Sequence, residues 1–188
     1  MTGFRALSVE GGSFEKYSDK TTPVAFLFTE GIVPQKLTFR RVEVDGMDAT
    51  DKLLEVLEEQ LILHGGKIDA IMSSSIPIAG FNLLDARKVL ERYAIPSIFF
   101  LDDKPDEAAV KLALKKHFDD WRIRLATIEG AGGAKEFSVD GERILIESVG
   151  MAQEEAFKKV RRLIVFGKLP EPIRIARMAC RAVTAAGD

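Results

Sequence analysis

The sequence has little cysteine and little histidine: one cysteine, Cys180, and two histidines in 188 residues. A single cysteine excludes an internal disulfide framework, and no cysteine or histidine cluster is spaced for zinc. No apolar run approaches the roughly 20 residues of a membrane-spanning helix, and the N-terminal segment lacks the apolar block of a signal peptide. We therefore expect a soluble cytoplasmic protein with no membrane association.

The chain also lacks an excess of either charge, since 27 lysines and arginines face 29 aspartates and glutamates, giving a net charge of -2. This balance provides no overall attraction to nucleic acid, so any contact with a polyanion must come from a local patch. The 46% of hydrophobic residues suits one compact domain over residues 1–188.

Hydrophobic periodicity predicts an α/β protein with a mixed sheet. Three strands joined by short turns indicate an antiparallel meander, and the pattern then changes to alternating helices and strands. The strands are expected at 4–9, 23–29 and 36–44, followed by a helix at 49–63, a strand at 68–72, a helix at 83–94 and a strand at 97–101. Three antiparallel strands followed by α-β-α-β is the order of a ribonuclease H-like fold.

The rest of the chain, from residue 105 onward, is expected to add a hairpin and helices. A helix at 105–118 would have Pro105 in its first turn, which suits a residue without an amide hydrogen. Residues 135–139 and 142–148 would pair through an Asp140-Gly141 turn. Two C-terminal helices are predicted at 151–166 and 172–186.

The strand at 68–72 ends in Ser73-Ser74-Ser75 and leads toward a helix at Asn82. The carboxyl end of a central strand is where α/β proteins usually place their chemistry. Because the serine run lacks the glycine spacing of a nucleophile elbow, a serine hydrolase is disfavoured.

A ribonuclease H-like site holds one or two divalent metal ions with carboxylates from the first strand, the first helix and the fourth strand. Glu10 fills the first place, and Asp45 and Asp48 are candidates for the second. The third place falls at Ser74, which has no charge to offer a metal ion. Two pairs also have a structural interpretation. Asp48 followed by Asp51 resembles an N-cap with an acid in the first turn of a helix, and Asn82 and Asp85 form a similar pair at the next helix.

A local basic surface is predicted on the last helix. Arg174, Arg177 and Arg181 recur at spacings that place them on one helical face, and Lys158, Lys159, Arg161 and Arg162 crowd the preceding helix. Both a solvated basic face and a phosphate-binding stripe fit this pattern.

Five segments together form a recognisable pattern: Arg5-Ala-Leu-Ser-Val-Glu-Gly-Gly-Ser-Phe14, Val44-Asp-Gly-Met-Asp-Ala-Thr50, Ile78-Ala-Gly-Phe-Asn-Leu-Leu-Asp85, Lys104-Pro-Asp106 and Pro170-Glu-Pro-Ile-Arg-Ile-Ala176. These segments resemble a largely archaeal family of proteins related to endonuclease V, the endonuclease dU family. They occur in the family's order over almost the whole chain.

The resemblance implies a ribonuclease H-like fold and metal-dependent cleavage of DNA that contains deaminated bases. Glu10, Asp45 and Asp48 would then bind Mg²⁺ or Mn²⁺, with Ser74, Asn82 and Asp85 as the scaffold of the cleft and Arg174, Arg177 and Arg181 on the nucleic acid.

This chain departs from the family pattern at the expected site. Glu10 stands where aspartate is usual, Ser74 where an acid is usual, Ser75 where glycine is usual, and Arg177 where histidine is common. Two other hypotheses therefore stand beside the endonuclease. One is a non-catalytic nucleic-acid-binding relative; the other is an interaction or assembly protein, or an enzyme with a different substrate, that uses the same cleft.

Overall fold

The computed structural model describes residues 3–63 and 67–185 and contains a mixed sheet of seven strands with helices on both faces. The strands of this sheet and of a separate two-stranded sheet are, in chain order, β1 (Arg5–Gly11), β2 (Thr21–Glu30), β3 (Val33–Glu43), β4 (Ala70–Ser73), β5 (Pro77–Ala79), β6 (Asn82–Leu83), β7 (Ser97–Leu101), β8 (Lys135–Val139) and β9 (Glu142–Val149). The helices are α1 (Ala49–Leu63), α2 (Ala86–Tyr93), α3 (Glu107–His117), α4 (Trp121–Glu129), α5 (Gln153–Val160) and α6 (Glu171–Ala185). Within the described residues, no helix is long and apolar enough to cross a membrane.

The strand order in the large sheet is β3-β2-β1-β4-β7-β9-β8, and β5 pairs only with β6. The first three strands form the expected antiparallel meander, and β4 and β7 join parallel to β1. The carboxyl ends of β1, β4 and β7 therefore lie at one edge of the sheet. The predicted α/β fold with a mixed sheet is confirmed.

The two faces of the sheet carry separate apolar cores because side chains alternate along each strand. Leu7 and Val9 of β1 pack with the leucines of α1, whereas Ala6 packs with residues of α5 and α6. Strand β2 is apolar on both faces, since Phe26 contacts the α1 core and Leu27 the core beneath α6. This burial on both sides explains the nearly continuous apolar run.

The helix predicted to start near Asn82 begins four residues later. Asn82 and Leu83 instead pair with β5 through a turn at Gly80, whose φ of +62° suits glycine. The Asp85 carboxylate accepts hydrogen bonds from the amides of Arg87 and Lys88, both at 3.1 Å, and so caps α2. The structural capping predicted for the Asn82–Asp85 pair is confirmed for Asp85, whereas the Asn82 side chain bonds elsewhere.

Two further helix predictions differ from the structure, and one helix was not predicted. Helix α3 starts at Glu107 behind the cap Asp106, so Pro105 precedes the helix rather than lying in its first turn. Helix α5 covers only 153–160 and tightens into a 3₁₀ turn at Arg161–Leu163, which buries Leu163. Helix α4 was not predicted because its buried face carries Arg124 in place of an apolar stripe.

Candidate nucleic-acid interface

Glu10 lies near the carboxyl end of β1 with 3% of its surface exposed, facing the side of the sheet that α6 covers. Its Oε1 accepts a hydrogen bond from the Ser74 amide at 2.7 Å, and its Oε2 accepts one from the Ser74 hydroxyl at 2.7 Å. Arg177 of α6 donates a further hydrogen bond from Nε to Oε2 at 3.1 Å. Both carboxylate oxygens are thus used by groups of the protein itself.

The Glu10 carboxylate is costly to bury, and its surroundings offset only part of that cost. Burial raises the pKa of Glu10 above its usual range, while the hydrogen bonds from Ser74 and the positive charge of Arg177 act in the opposite direction. The Ser74 amide is well placed because the Ser73 hydroxyl donates to the Ser75 carbonyl at 2.8 Å and fixes the turn. Glu10, Ser74 and Arg177 form one hydrogen-bonded unit.

Asp48 contributes to a second network, centred on the fully buried Asn82. The Asn82 Nδ2 donates to the Asp48 carboxylate at 2.6 Å and to the Glu43 carbonyl at 2.8 Å, and its Oδ1 accepts from the Ala49 amide at 2.9 Å. The first amide of α1 is therefore capped by Asn82. Asp48 occupies the predicted N-cap position, since its carbonyl accepts from the Lys52 amide at 3.0 Å and Asp51 lies in the first turn of α1. Its Oδ1 accepts from Asn82 and from the Glu43 amide at 3.1 Å.

Asp45 holds the turn between β5 and β6. Its backbone is left-handed, with φ of +59°, and its amide donates to the Ala79 carbonyl at 3.0 Å. Its carboxylate accepts a hydrogen bond from the Phe81 amide at 2.7 Å. The guanidinium of Arg124, which is 5% exposed, donates to the Phe81 carbonyl at 2.7 Å and so fixes the same turn from the other side.

These contacts do not fit a divalent metal centre. Among residues 3–63 and 67–185, no group of three or more histidine, cysteine, aspartate or glutamate side chains is placed to hold a metal ion. The expected ligand set of Glu10, Asp45 and Asp48 is therefore not assembled. The guanidinium of Arg177 provides the positive charge beside Glu10 that a metal ion would otherwise supply.

The three predicted arginines of α6 have different environments. Arg177 is paired with Glu10, and Arg174 is paired with Glu171 at 3.0 Å. Arg181 is exposed and has no ion-pair partner in the described part of the chain. Arg177 and Arg181 border an open pocket of about 300 Å³ whose other walls include Glu10, Gly12, Ser74 and Asp102.

Gly11 lies at the inner wall of this pocket for a steric reason. A Cβ atom at this position would lie 2.0 Å from the Ile78 carbonyl oxygen, so only glycine lets β5 pass so close to β1. The glycine beside Glu10 is thus explained by packing.

Sequence reasoning missed two groups at the same edge of the sheet, Phe81 and Glu147. Glu147 is 6% exposed and lies on β9 between Leu145 and Val149, on the face that packs toward α1 and α2. An acid at an inward position of an alternating strand is a signal that the sequence alone could have provided.

The fold assigns the chain to a known structural class, because it superposes on solved structures of endonuclease V. The crystal structure of endonuclease V from Ciona intestinalis, in complex with DNA containing an inosine, superposes with a TM-score of 0.62 at 12% identity. It covers 98% of this chain and 87% of that one. The chain therefore has the ribonuclease H-like fold of endonuclease V.

The sequence comparisons identify the family to which the chain belongs within this fold. The family described as endonuclease dU matches residues 2–184, so the chain belongs to the endonuclease dU family. A UPF0215 protein of Thermococcus sibiricus is 30% identical over 95% of this chain and 91% of the relative. A protein of unknown function from Archaeoglobus fulgidus, known from a crystal structure, has a TM-score of 0.81 at 26% identity, covering 96% of this chain and 98% of that one. The suspected family is confirmed.

Proposed function

We propose that this protein binds DNA at the cleft above β1, β4 and β7 without a metal centre, as a nucleic-acid-binding member of its family. The observation that carries the proposal is the Glu10–Ser74–Arg177 unit. It uses both oxygens of Glu10, a family-pattern acid at the wall of the pocket, and sets a guanidinium beside them. A buried carboxylate whose charge is balanced by an arginine needs no metal ion.

Arginine is suited to the contact with phosphate. A guanidinium carries five N–H donors in a planar fork, and of the Arg177 donors only Nε is bonded to Glu10. Glu10 thus orients Arg177 at the pocket wall while leaving donors for a phosphate oxygen. The exposed Arg181 adds an unpaired positive charge at the same wall.

The proposed partner is cytoplasmic DNA that contains deaminated bases. Two findings support this partner: the family is described as endonuclease dU, and a structural neighbour was crystallised with DNA containing an inosine. The chain's near-zero net charge is compatible with a contact confined to one patch.

Fluorescence anisotropy with a uracil-containing duplex tests the proposal. We expect binding without metal that weakens as salt rises, and an Arg181→Ala variant should reduce the slope of log K against log salt by about one. Arg92→Ala is the matched control, because Arg92 is a half-exposed arginine of α2 paired with Glu58 and does not line the cleft. Binding that does not depend on salt, or equal effects of the two variants, would refute the proposal.

A metal-dependent endonuclease is the second candidate, favoured by the description of the family. Incubation of uracil- or hypoxanthine-containing duplex with Mg²⁺ or Mn²⁺ separates the two candidates, with Glu10→Ala as the control. We expect no nicking above that control. Nicking by the unaltered protein that Glu10→Ala abolishes would establish the endonuclease instead.

The departures from the family pattern allow a gain-of-binding test. The double variant Ser74→Asp, Arg177→His places the acid and the histidine of the pattern beside Glu10. We expect calorimetric titration with Mn²⁺ to show binding to the double variant and none to the unaltered protein at the same concentration. Equal binding by both proteins would contradict our reading of the site.

A further inference from the structure

A second basic surface lies where α5 ends and the 3₁₀ turn at Arg161–Leu163 begins. Lys158, Arg161 and Arg162 are exposed there, and we call these three residues the α5 patch. The patch is separate from the arginines of α6 that border the cleft. DNA bound only in the cleft would leave the patch without a role.

The fold holds the α5 patch outward on a fixed base. Val160 and Leu163 flank its two arginines in the sequence, and both are buried in the core under α5, with 0% and 4% of their surface exposed. Because the chain tightens into the 3₁₀ turn between these two anchors, Arg161 and Arg162 stay next to each other on the outside. Packing therefore sets the positions of the two charges.

The charges of the α5 patch are unpaired within the described part of the chain. Its side chains make no hydrogen bond and no ion pair among residues 3–63 and 67–185, and none caps the carbonyl end of α5. The neighbouring Lys159, in contrast, is paired with Glu155 at 3.5 Å. The sequence has no acid between Glu155 and Glu171. In a chain of net charge -2, such a local excess of one sign indicates a surface that attracts an anionic partner.

The α5 patch borders an open pocket of about 640 Å³. Its wall also includes Phe157, Ile164 and one acid, Asp140 at the tip of the β8–β9 hairpin. Three basic side chains against one acid leave a net positive charge on a concave surface, where the electric field is strongest. Phosphate oxygens are suited to such a surface, because lysine and arginine bind them through charge-assisted hydrogen bonds.

The α5 patch lies on the same face and at the same edge of the sheet as the cleft. Helices α5 and α6 cover one face, because Val160 and Ile173 pack in the same core. Strand β9 runs antiparallel to β7 and joins β8 through the Asp140-Gly141 turn, so this turn lies at the carboxyl edge of β7. The pocket that Asp140 borders is therefore at the edge where Glu10 and Arg177 are paired.

The strand order gives the separation of the two basic surfaces. Four strand-to-strand steps lead from β1, which carries Glu10, to β8, whose last residue Val139 borders the pocket of the α5 patch. At about 4.8 Å a step, the separation along the sheet edge is about 19 Å. Phosphates of one strand of B-DNA follow each other at about 3.4 Å along the axis, so this distance corresponds to roughly five or six base pairs.

We propose that the α5 patch binds the phosphate backbone of a DNA duplex about five or six base pairs away from the phosphate at Arg177 and Arg181. The inference rests on the proposed DNA binding and names a second part of the DNA that the protein holds, the arm that flanks the cleft. Because the contact is made to phosphates, it carries no base specificity and adds affinity on any sequence.

Fluorescence anisotropy with uracil-containing duplexes of different lengths tests the inference. The short duplex has about four base pairs on each side of the uracil and is closed by an uncharged glycol linker, and two longer duplexes extend one arm, 5′ or 3′, to about ten base pairs. The triple variant Lys158→Ala, Arg161→Ala, Arg162→Ala should bind the short duplex as the unaltered protein does. For one of the longer duplexes it should reduce the slope of log K against log salt by about two to three, at about 0.9 for each lost phosphate contact.

The matched control is the triple variant Lys52→Ala, Lys88→Ala, Arg92→Ala. It removes three positive charges from α1 and α2, where each is paired with an acid and borders neither pocket. We expect it to leave the slope unchanged for every duplex. Arg181→Ala, in contrast, should reduce the slope for short and long duplexes alike, which separates the cleft from the α5 patch. Thermal melting confirms that the variants are folded.

The outcomes distinguish the two proposals. Absence of salt-dependent binding by the unaltered protein to all of the duplexes removes the proposed function and this inference with it. Normal binding that the α5 triple variant leaves unchanged on both longer duplexes removes only the role of the α5 patch. An equal loss on short and long duplexes would also overturn the inference, because the contact would then lie within the cleft. A salt slope of the unaltered protein that increases with neither arm would contradict it without any variant.

Discussion

Removal of Arg177 is expected to destabilise the protein more than removal of its partner Glu10. The two side chains differ in burial, with exposed fractions of 28% for Arg177 and 4% for Glu10. Arg177→Ala leaves a carboxylate in the interior with only Ser74 to stabilise it, and losing one partner of a buried pair costs about 3–5 kcal/mol. Because Arg177 is partly exposed, we expect about 2–3 kcal/mol at pH 8.

Glu10→Gln removes the buried charge and leaves Arg177 able to reach solvent. Its cost should be nearer 1 kcal/mol, the usual value of an altered hydrogen bond. In the Glu10→Gln background Arg177→Ala should then cost less than about 1 kcal/mol, since no buried charge remains to be stranded. Urea denaturation of the four proteins completes this double-mutant cycle.

The pH dependence provides an independent check on the same pair. The pKa of Glu10 in the folded protein is raised, so its contribution to stability is present below the unfolded value of 4.5 and is lost as pH rises through the folded pKa. Without Arg177 that pKa rises further. The cost of Arg177→Ala should therefore be larger at pH 8 than at pH 5. Equal costs at the two pH values, or a greater cost for Glu10→Gln, would refute the reasoning.

Two further predictions concern other parts of the site. Gly80→Ala should lower stability by about 1–3 kcal/mol in thermal melts, because φ is +62° and a Cβ would lie 2.1 Å from the Asp45 Oδ1. Gly132→Ala is the control: Gly132 also has a positive φ but lies in open space, so this substitution should lower stability clearly less. Glu147→Gln should gain stability relative to the unaltered protein as pH rises from 4.5 through about 7, by up to roughly 3 kcal/mol in urea denaturation. Parallel pH profiles of the two proteins would contradict the raised pKa of Glu147.

Elements with a regular apolar pattern could be predicted from the sequence. The stripe of Leu53 and Leu57 predicted α1, and both leucines are buried in the core. The hairpin of β8 and β9 was predicted from Asp140-Gly141, and both turn residues have the positive φ that this turn requires. Helix α4 escaped prediction because a buried arginine interrupts its apolar face.

The site could be predicted as a set of residues but not as a set of contacts. Glu10 and Arg177 were both expected at the cleft, yet they are 167 positions apart, and nothing local indicates that they pair. Asn82 was interpreted from its neighbours as a cap of α2, whereas its hydrogen bonds reach 33 and 39 residues back to the start of α1 and the end of β3. The local sequence indicates helix caps and apolar stripes. The partners of long-range polar contacts depend on the topology, which brings distant segments together.

The acids of the family pattern have two different roles in this chain: Glu10 pairs with Arg177, whereas Asp45 and Asp48 hold the backbone around the cleft. Glu10 has a serine, not an acid, beside it at position 74, and its charge is balanced by Arg177 from α6. Asp45 and Asp48 use their carboxylates to hold backbone amides and Asn82, which fixes the turn that carries Phe81. A buried carboxylate keeps its position without a metal ion only if other donors satisfy it. Each of these three acids has such donors, which hold the shape of the cleft and make the proposed metal-free binding site physically consistent.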